Sequence, residues 1–174
     1  TFLVGKFNVS NLLAIYGAAS LLGMSDDDLL KGVSQLQSAP GRFQVVQSDC
    51  GIVGIVDYAH TPDAVEKIIK EVSNLPHNKI ITLVGCGGNR DKTKRSIMGD
   101  IATKYSDYVI FTSDNPRFEK PKKKLKDITC KLDKKNYKII VKREKAIKKS
   151  IQMLTKNDIL LLLGKGHEDY QIIK

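Results

Sequence analysis

Ile80-Ile81-Thr82-Leu83-Val84-Gly85-Cys86-Gly87-Gly88-Asn89-Arg90-Asp91, with Ile97, Met98, Ile101, Ala102 and Tyr105 after it, is the stretch on which the fold turns. A β-branched apolar run leads into a glycine-rich turn, and apolar residues then recur at three- and four-residue intervals: strand, turn, helix. Residues 52–56 stand in the same relation to Val65, Ile68, Ile69 and Val72. Residues 108–112 precede Leu125, Ile128 and Leu132, and residues 139–141 precede Ile147, Ile151 and Leu154. Residues 159–163 close the series in a glycine-bearing loop.

None of these runs shows the apolar–polar alternation of a half-exposed strand, so they read as buried on both faces. That predicts an α/β fold: a Rossmann-like, mostly parallel sheet with helices on both faces. Upstream, residues 11–23 are rich in Ala and Leu, and Ser25-Asp26-Asp27-Asp28 opens a stretch reaching about Leu36, which predicts two short helices. Ser38-Ala39-Pro40-Gly41-Arg42 breaks the pattern and divides the chain into residues 1–39 and residues 40–174.

Bulk properties narrow the function classes. Hydrophobic residues make up 41% of 174, enough for an ordinary core. The longest apolar run, residues 159–163, stops at Gly164 and Lys165. It is far short of the ~20 residues that span a bilayer, so a soluble globule without a membrane span is expected. Cys50, Cys86 and Cys130 are odd in number and lack metal-site spacing, which predicts free thiols in a reducing compartment and no metal site. The net charge is +10, with nearly half of the 29 Lys and Arg between Lys120 and Lys149. A nucleic-acid-binding module is the alternative this charge suggests, but no aromatic-interleaved basic strand accompanies it. Solvated helix faces explain the lysines equally well, and an anionic substrate gains from the positive field. The chain opens at Thr1 without a leader, and the natural amino terminus is expected upstream.

In sheets of this kind ligands bind beyond the carboxyl ends of the strands. The segments there are Asp57-Tyr58-Ala59-His60-Thr61-Pro62, residues 85–91, Ser113-Asp114-Asn115-Pro116-Arg117 and Gly164-Lys165-Gly166-His167-Glu168. Gly85, Gly87 and Gly88 either make only a tight turn or present backbone N–H groups, beside Arg90, to a carboxylate or phosphate. Residues 114–117 are either a simple Asx–Pro turn or a grip on an amino acid's opposite charges. The charged, glycine-spaced loop after residue 163 is hard to require for packing alone, which favours function. Asp57 and His60 stay ambiguous, because Thr61-Pro62 is also an ordinary helix start. His77 lies in a surface connection and is expected to be inert.

In this order, Gly5-Lys6-Phe7-Asn8-Val9-Ser10-Asn11, Pro40-Gly41-Arg42-Phe43, Asp57 through Asp63, Gly85 through Arg95, Asp114 through Arg117 and Gly164 through Gln171 together resemble the Mur ligase family. The resemblance covers essentially the whole chain and points to the branch that adds meso-diaminopimelate. It implies an ATP- and Mg2+-dependent ligase of cytoplasmic peptidoglycan precursor synthesis, acting on UDP-N-acetylmuramoyl-L-alanyl-D-glutamate. ATP phosphorylates the terminal carboxylate and the incoming amine then attacks. Residues 1–39 would be the last helices of the central ATPase domain. Residues 40–174 would be the amino-acid-binding domain, clipped at its end. The family's phosphate loop, magnesium ligands and modified lysine have no counterpart here, so no catalytic residue is expected in this chain, and it should be inactive by itself. The resemblance implies a diaminopimelate site of Arg90, Asp114, Asn115, Pro116, Arg117, Gly164 and Glu168. Asn11, Arg42, Asp57 and His60 would lie near ATP. A monomer is expected, binding neither nucleic acid nor membrane. The same ligase using L-lysine or another diamino acid is the alternative within the family, and Arg117 argues against it, because lysine lacks the distal carboxylate a second guanidinium would meet.

Overall fold

The structure, a computed structural model, describes residue 3, residues 5–89 and residues 91–170. Internal contacts divide the chain into two compact units, Thr1–Ala39 and Pro40–Lys174. The first unit holds α1 (Phe7–Leu21) and α2 (Asp26–Gln35). The α2 start is written in the sequence: Ser25 Oγ accepts from Asp28 N at 3.3 Å, and Asp26, Asp27 and Asp28 occupy the positive end of the helix dipole. Tyr16 donates its hydroxyl to Asp26 Oδ1 at 2.7 Å and so ties the two helices together. α1 starts at Phe7, ahead of the expected residue 11, at an end without a side-chain cap to mark it.

The second unit runs β1 (Gln44–Gln47), β2 (Val53–Asp57), α3 (Pro62–Ser73), β3 (Ile80–Val84), α4 (Thr93–Tyr105), β4 (Tyr108–Phe111), α5 (Pro121–Thr129), β5 (Tyr137–Ile139), α6 (Arg143–Gln152) and β6 (Ile159–Leu163). The strands form one sheet in the order β1-β2-β6-β3-β4-β5, parallel throughout except for antiparallel β1–β2. This is the mostly parallel α/β fold that the periodicity predicts. Burial on both faces holds for β3, β4 and β6, but not for β1 and β5, where the sheet ends and side chains meet solvent. β1, with Gln at both ends, carries no apolar signature, and β5 lies two residues earlier than the run at 139–141.

Paired strand positions share a face. Leu83, Ile110 and Leu162 pack with Ala146 and Ile147 of α6 on one side. On the other, Thr82 Oγ1 lies 2.7 Å from Ser106 Oγ at the end of α4. α3 and α5 pack beside α4 in that layer. α4 and α5 approach so closely that a Cβ on Gly99 would stand 2.5 Å from Ile128 O. Thr61 caps α3, accepting from Ala64 N at 3.3 Å, with Pro62 as the first helical residue. The three cysteines are free, and no described helix is long and apolar enough to cross a membrane.

β6 enters between β2 and β3, and this position builds the site. The loops after β2, β6, β3 and β4 become consecutive neighbours along one rim, although β6 is the last strand in sequence.

Candidate functional site

The loops following β3 and β4 are zipped together. Gly88 N donates to Asn115 O at 2.8 Å, Asn89 N to Glu119 Oε1 at 2.7 Å and Phe118 N to Asn89 Oδ1 at 3.3 Å. Beneath them Lys124, 2% exposed, donates from Nζ to Cys86 O at 2.8 Å and to Asn115 O at 3.3 Å. Burial pushes its ammonium pKa down. Arg95, 1% exposed, meets Glu119 through two hydrogen bonds of 2.9 and 2.7 Å and Asp127 through one of 2.8 Å. This fork geometry is the strong form of a charge-assisted pair.

The Arg95 hydrogen bonds hold the Glu119 carboxyl at about 2, against an ordinary 4.5. A carboxyl whose pKa is depressed on folding contributes stability that is complete above its unfolded value and is lost as pH falls toward the folded one. Melting temperature is therefore expected to fall between pH 5 and pH 2, and to fall less steeply in Glu119→Gln. Parallel slopes for the two proteins across that window would disprove this coupling.

The four loops enclose a cavity of about 310 Å3, lined among others by Tyr58, Asp114, Asn115, Arg117, Gly164 and Glu168. Glu168 is anchored mainly through one oxygen: Oε2 accepts from Asn115 Nδ2 at 2.8 Å and Lys165 Nζ at 3.1 Å, while among the described residues Oε1 meets the Tyr58 hydroxyl, at 3.4 Å. Burial alone would raise the Glu168 carboxyl, but hydrogen bonds from Asn115 and Lys165 outweigh it and hold its pKa below the usual value. An ionised carboxylate with one spare oxygen suits an ammonium. Arg117, which lines the same cavity, adopts a left-handed backbone (φ 52°) and donates from Nη1 to Gly88 O at 3.2 Å. A guanidinium has five donors, so most remain for an anion. Gly164 has φ 104°, and a Cβ there would stand 3.3 Å from Asp114 Oδ2. The position combines a conformation that side chains avoid with a site wall.

Asp114, Asn115, Arg117, Gly164 and Glu168 line this one cavity, and Pro116 is buried in the same loop. Arg90 lies outside the described residues. Of the residues expected near a nucleotide, Asp57 already holds backbone with both oxygens, accepting from Phe43 N at 2.8 Å and Ala59 N at 2.7 Å. It fixes two turns, and its remaining lone pairs are what a ribose could meet. His60 is exposed, with Nδ1 2.8 Å from Tyr58 O. The Arg42 guanidinium is exposed and lies over the Tyr58 ring, 4.8 Å from its centroid. Asn11 belongs to the first unit, where its amide donates to Asn8 Oδ1 at 3.0 Å. His77 closes a local turn, its Nδ1 2.6 Å from Leu75 O.

Sequence reasoning did not single out Tyr58, Arg95, Lys124 or Lys165. Lys165 is 8% exposed and reaches Glu168, Asn115 Oδ1 and the Tyr170 carbonyl, so it is an internal clamp and not solvated loop charge. Its glycine neighbours were a usable signal. Lys124 had none, standing in a lysine run on a helix that otherwise looks solvent-facing.

Residues 41–166 match the Mur ligase glutamate ligase domain. The chain is 48% identical to UDP-N-acetylmuramoyl-L-alanyl-D-glutamate--2,6-diaminopimelate ligase of Bacteroides thetaiotaomicron, over 98% of this chain and 36% of the relative. It is also 48% identical to the ligase of the same name from Clostridioides difficile, over 97% of this chain and 35% of that one. A solved structure of a ligase so named superposes with a TM-score of 0.76 at 40% identity, covering 98% of this chain and 35% of that chain. The Thermotoga maritima UDP-N-acetylmuramate-alanine ligase shares the fold, with a TM-score of 0.70 at 21% identity over 96% of this chain and 36% of its own. The chain spans only about a third of the length of these curated relatives, but what it spans includes the matched domain and the rim of charged loops just described, and it belongs to the Mur ligase family.

Proposed function

We propose that this chain is the amino-acid-binding end of a cytoplasmic, ATP-dependent ligase that joins meso-diaminopimelate to UDP-N-acetylmuramoyl-L-alanyl-D-glutamate. Residues 1–39 are then the closing helices of the nucleotide-handling domain, and residues 40–174 are the domain that presents the amine. The observation that carries the reading is one cavity lined by both the Arg117 guanidinium and the Glu168 carboxylate, whose Oε1 meets among the described residues the Tyr58 hydroxyl at 3.4 Å. A diamino diacid has an ammonium and a carboxylate at its far end, and these two groups match them. Arg90, which lies outside the described residues, is assigned to the same carboxylate on family resemblance.

ATP supplies the phosphoryl group that activates the acceptor carboxylate. Toward it this chain offers the Arg42 guanidinium, which among the described residues has an aromatic face and no carboxylate beside it, and the outward nitrogen of His60. Both fit a polyanion. Among the described residues no group of three or more His, Cys, Asp or Glu is gathered as a metal site, and Mg2+ is assigned to the rest of the ligase. The work of this chain is to orient and desolvate the amine, which lowers the barrier without any proton transfer of its own.

Calorimetry on the full-length ligase is expected to give meso-diaminopimelate at least about tenfold tighter than L-lysine, since lysine leaves a guanidinium unpaired. Arg117→Ala should erase most of that preference. Equal affinities in the wild type would refute the substrate assignment.

A further inference from the structure

Tyr58 touches groups from both ends of the proposed reaction. Its hydroxyl points to Glu168 Oε1 at 3.4 Å. Its ring lies under the Arg42 guanidinium at 4.8 Å, meets His60 edge-on at 4.8 Å between centroids and stacks with His167 at 5.9 Å. The ring is held from below by backbone packed without slack. A Cβ on Gly41 would stand 2.1 Å from His167 N, and one on Gly166 would stand 2.8 Å from Gly41 O and 2.9 Å from Tyr58 Cβ. Arg42 follows Gly41, and Glu168 follows Gly166 by two residues. The turn carrying the cation and the loop carrying the carboxylate are therefore locked together with Tyr58 between them.

We propose that Tyr58 is a positioning residue that sets two groups independently: its hydroxyl steers Oε1 of Glu168 toward the incoming amino acid, and its ring holds the Arg42 guanidinium toward the nucleotide. The inference rests on the proposed ligase function. The phenol has one donor, and Glu168 Oε1 receives it, so the hydroxyl acts only on the amino-acid side. The cation–π contact needs only the ring face, so it survives loss of the hydroxyl. The two roles can therefore be separated by substitution.

Steady-state kinetics on the full-length ligase test this, with meso-diaminopimelate and ATP varied in turn. The wild type decides the ligase reading first: no diaminopimelate-dependent turnover means that reading fails, whatever the variants do. With turnover present, Tyr58→Phe is expected to raise the diaminopimelate KM about three- to tenfold and to leave the ATP KM within twofold. Tyr58→Leu is expected to raise the ATP KM as well, by about two- to fivefold. A Tyr58→Phe enzyme with an unchanged diaminopimelate KM, or with both KM values raised alike, overturns the proposal. A Tyr58→Leu ATP KM equal to that of Tyr58→Phe does so for the ring. Should Tyr58→Leu not fold, the hydroxyl role is still decided by combining Tyr58→Phe with Glu168→Gln. The double variant should bind diaminopimelate no worse than Glu168→Gln alone, whereas additive losses reject the coupling.

Discussion

Gly88→Ala is expected to destabilise this chain by about 3 kcal/mol and lower its melting temperature by about 10 °C. The added Cβ would stand 2.0 Å from Pro116 O and 2.7 Å from Pro116 C, where ordinary contacts lie at 3.4–4 Å. Both obstacles are backbone, in a loop braced by proline and by the Lys124 ammonium, so no flexible side chain can swing aside. Relief requires the loops after β3 and β4 to separate, which breaks the Gly88 N–Asn115 O bond and the Arg117–Gly88 O bond together. Diaminopimelate binding in the full-length ligase should be lost with them. Gly17→Ala in α1 is the control: its Cβ would meet nothing within 4 Å, and alanine in a helix interior should stabilise by about 0.5–1 kcal/mol. Urea denaturation measures both, and a Gly88→Ala loss below about 1 kcal/mol would mean the loops are not wedged as described.

The contrast between these two glycines shows what a sequence reveals and what it does not. Gly88 sits in a visible strand–turn–helix signal, so its loop could be read, but the carbonyl it abuts comes from the loop after β4, 28 residues on. The same division runs through the fold. β3 and β6 are legible to the residue because they are buried on both faces and written in continuous apolar code. β1 and β5 are edge strands whose side chains, Val45, Val46 and Ile139 among them, meet solvent, and their short mixed runs lack the continuous apolar code of a strand buried on both faces. Strand order was not legible at all. β6 between β2 and β3 follows from crossover packing, and that insertion is what sets Gly164 and Glu168 beside Asp114 and Tyr58. The residues proposed to bind ligand announced themselves as charges next to glycine and proline at strand ends. Their supports, Arg95 and Lys124, did not, because a buried cation and a solvated one look alike until the partner loops are placed.

The larger functional effect is expected from Glu168→Gln, which should lower kcat/KM for diaminopimelate in the full-length ligase by about a hundredfold, as loss of one member of a buried, hydrogen-bonded charge pair commonly does. The substitution keeps shape and removes charge, so the result reads electrostatics and not packing. Two losses combine. The oxygen that has only the distant Tyr58 hydroxyl can no longer offer a full negative charge to an ammonium, and Lys165, 8% exposed, is left facing an amide in place of a carboxylate. A positive charge without its counter-ion then repels the ligand amine it formerly helped to seat. Lys165→Met removes that repulsion, so adding it to Glu168→Gln should recover part of the lost activity, although by itself it frees the Glu168 carboxylate from its clamp and should be harmful. Such sign reversal in a double-mutant cycle belongs to direct charge coupling. Full activity in Glu168→Gln would place the ligand ammonium elsewhere in the cavity, where Asp91 and Asp114 are the other lining carboxylates.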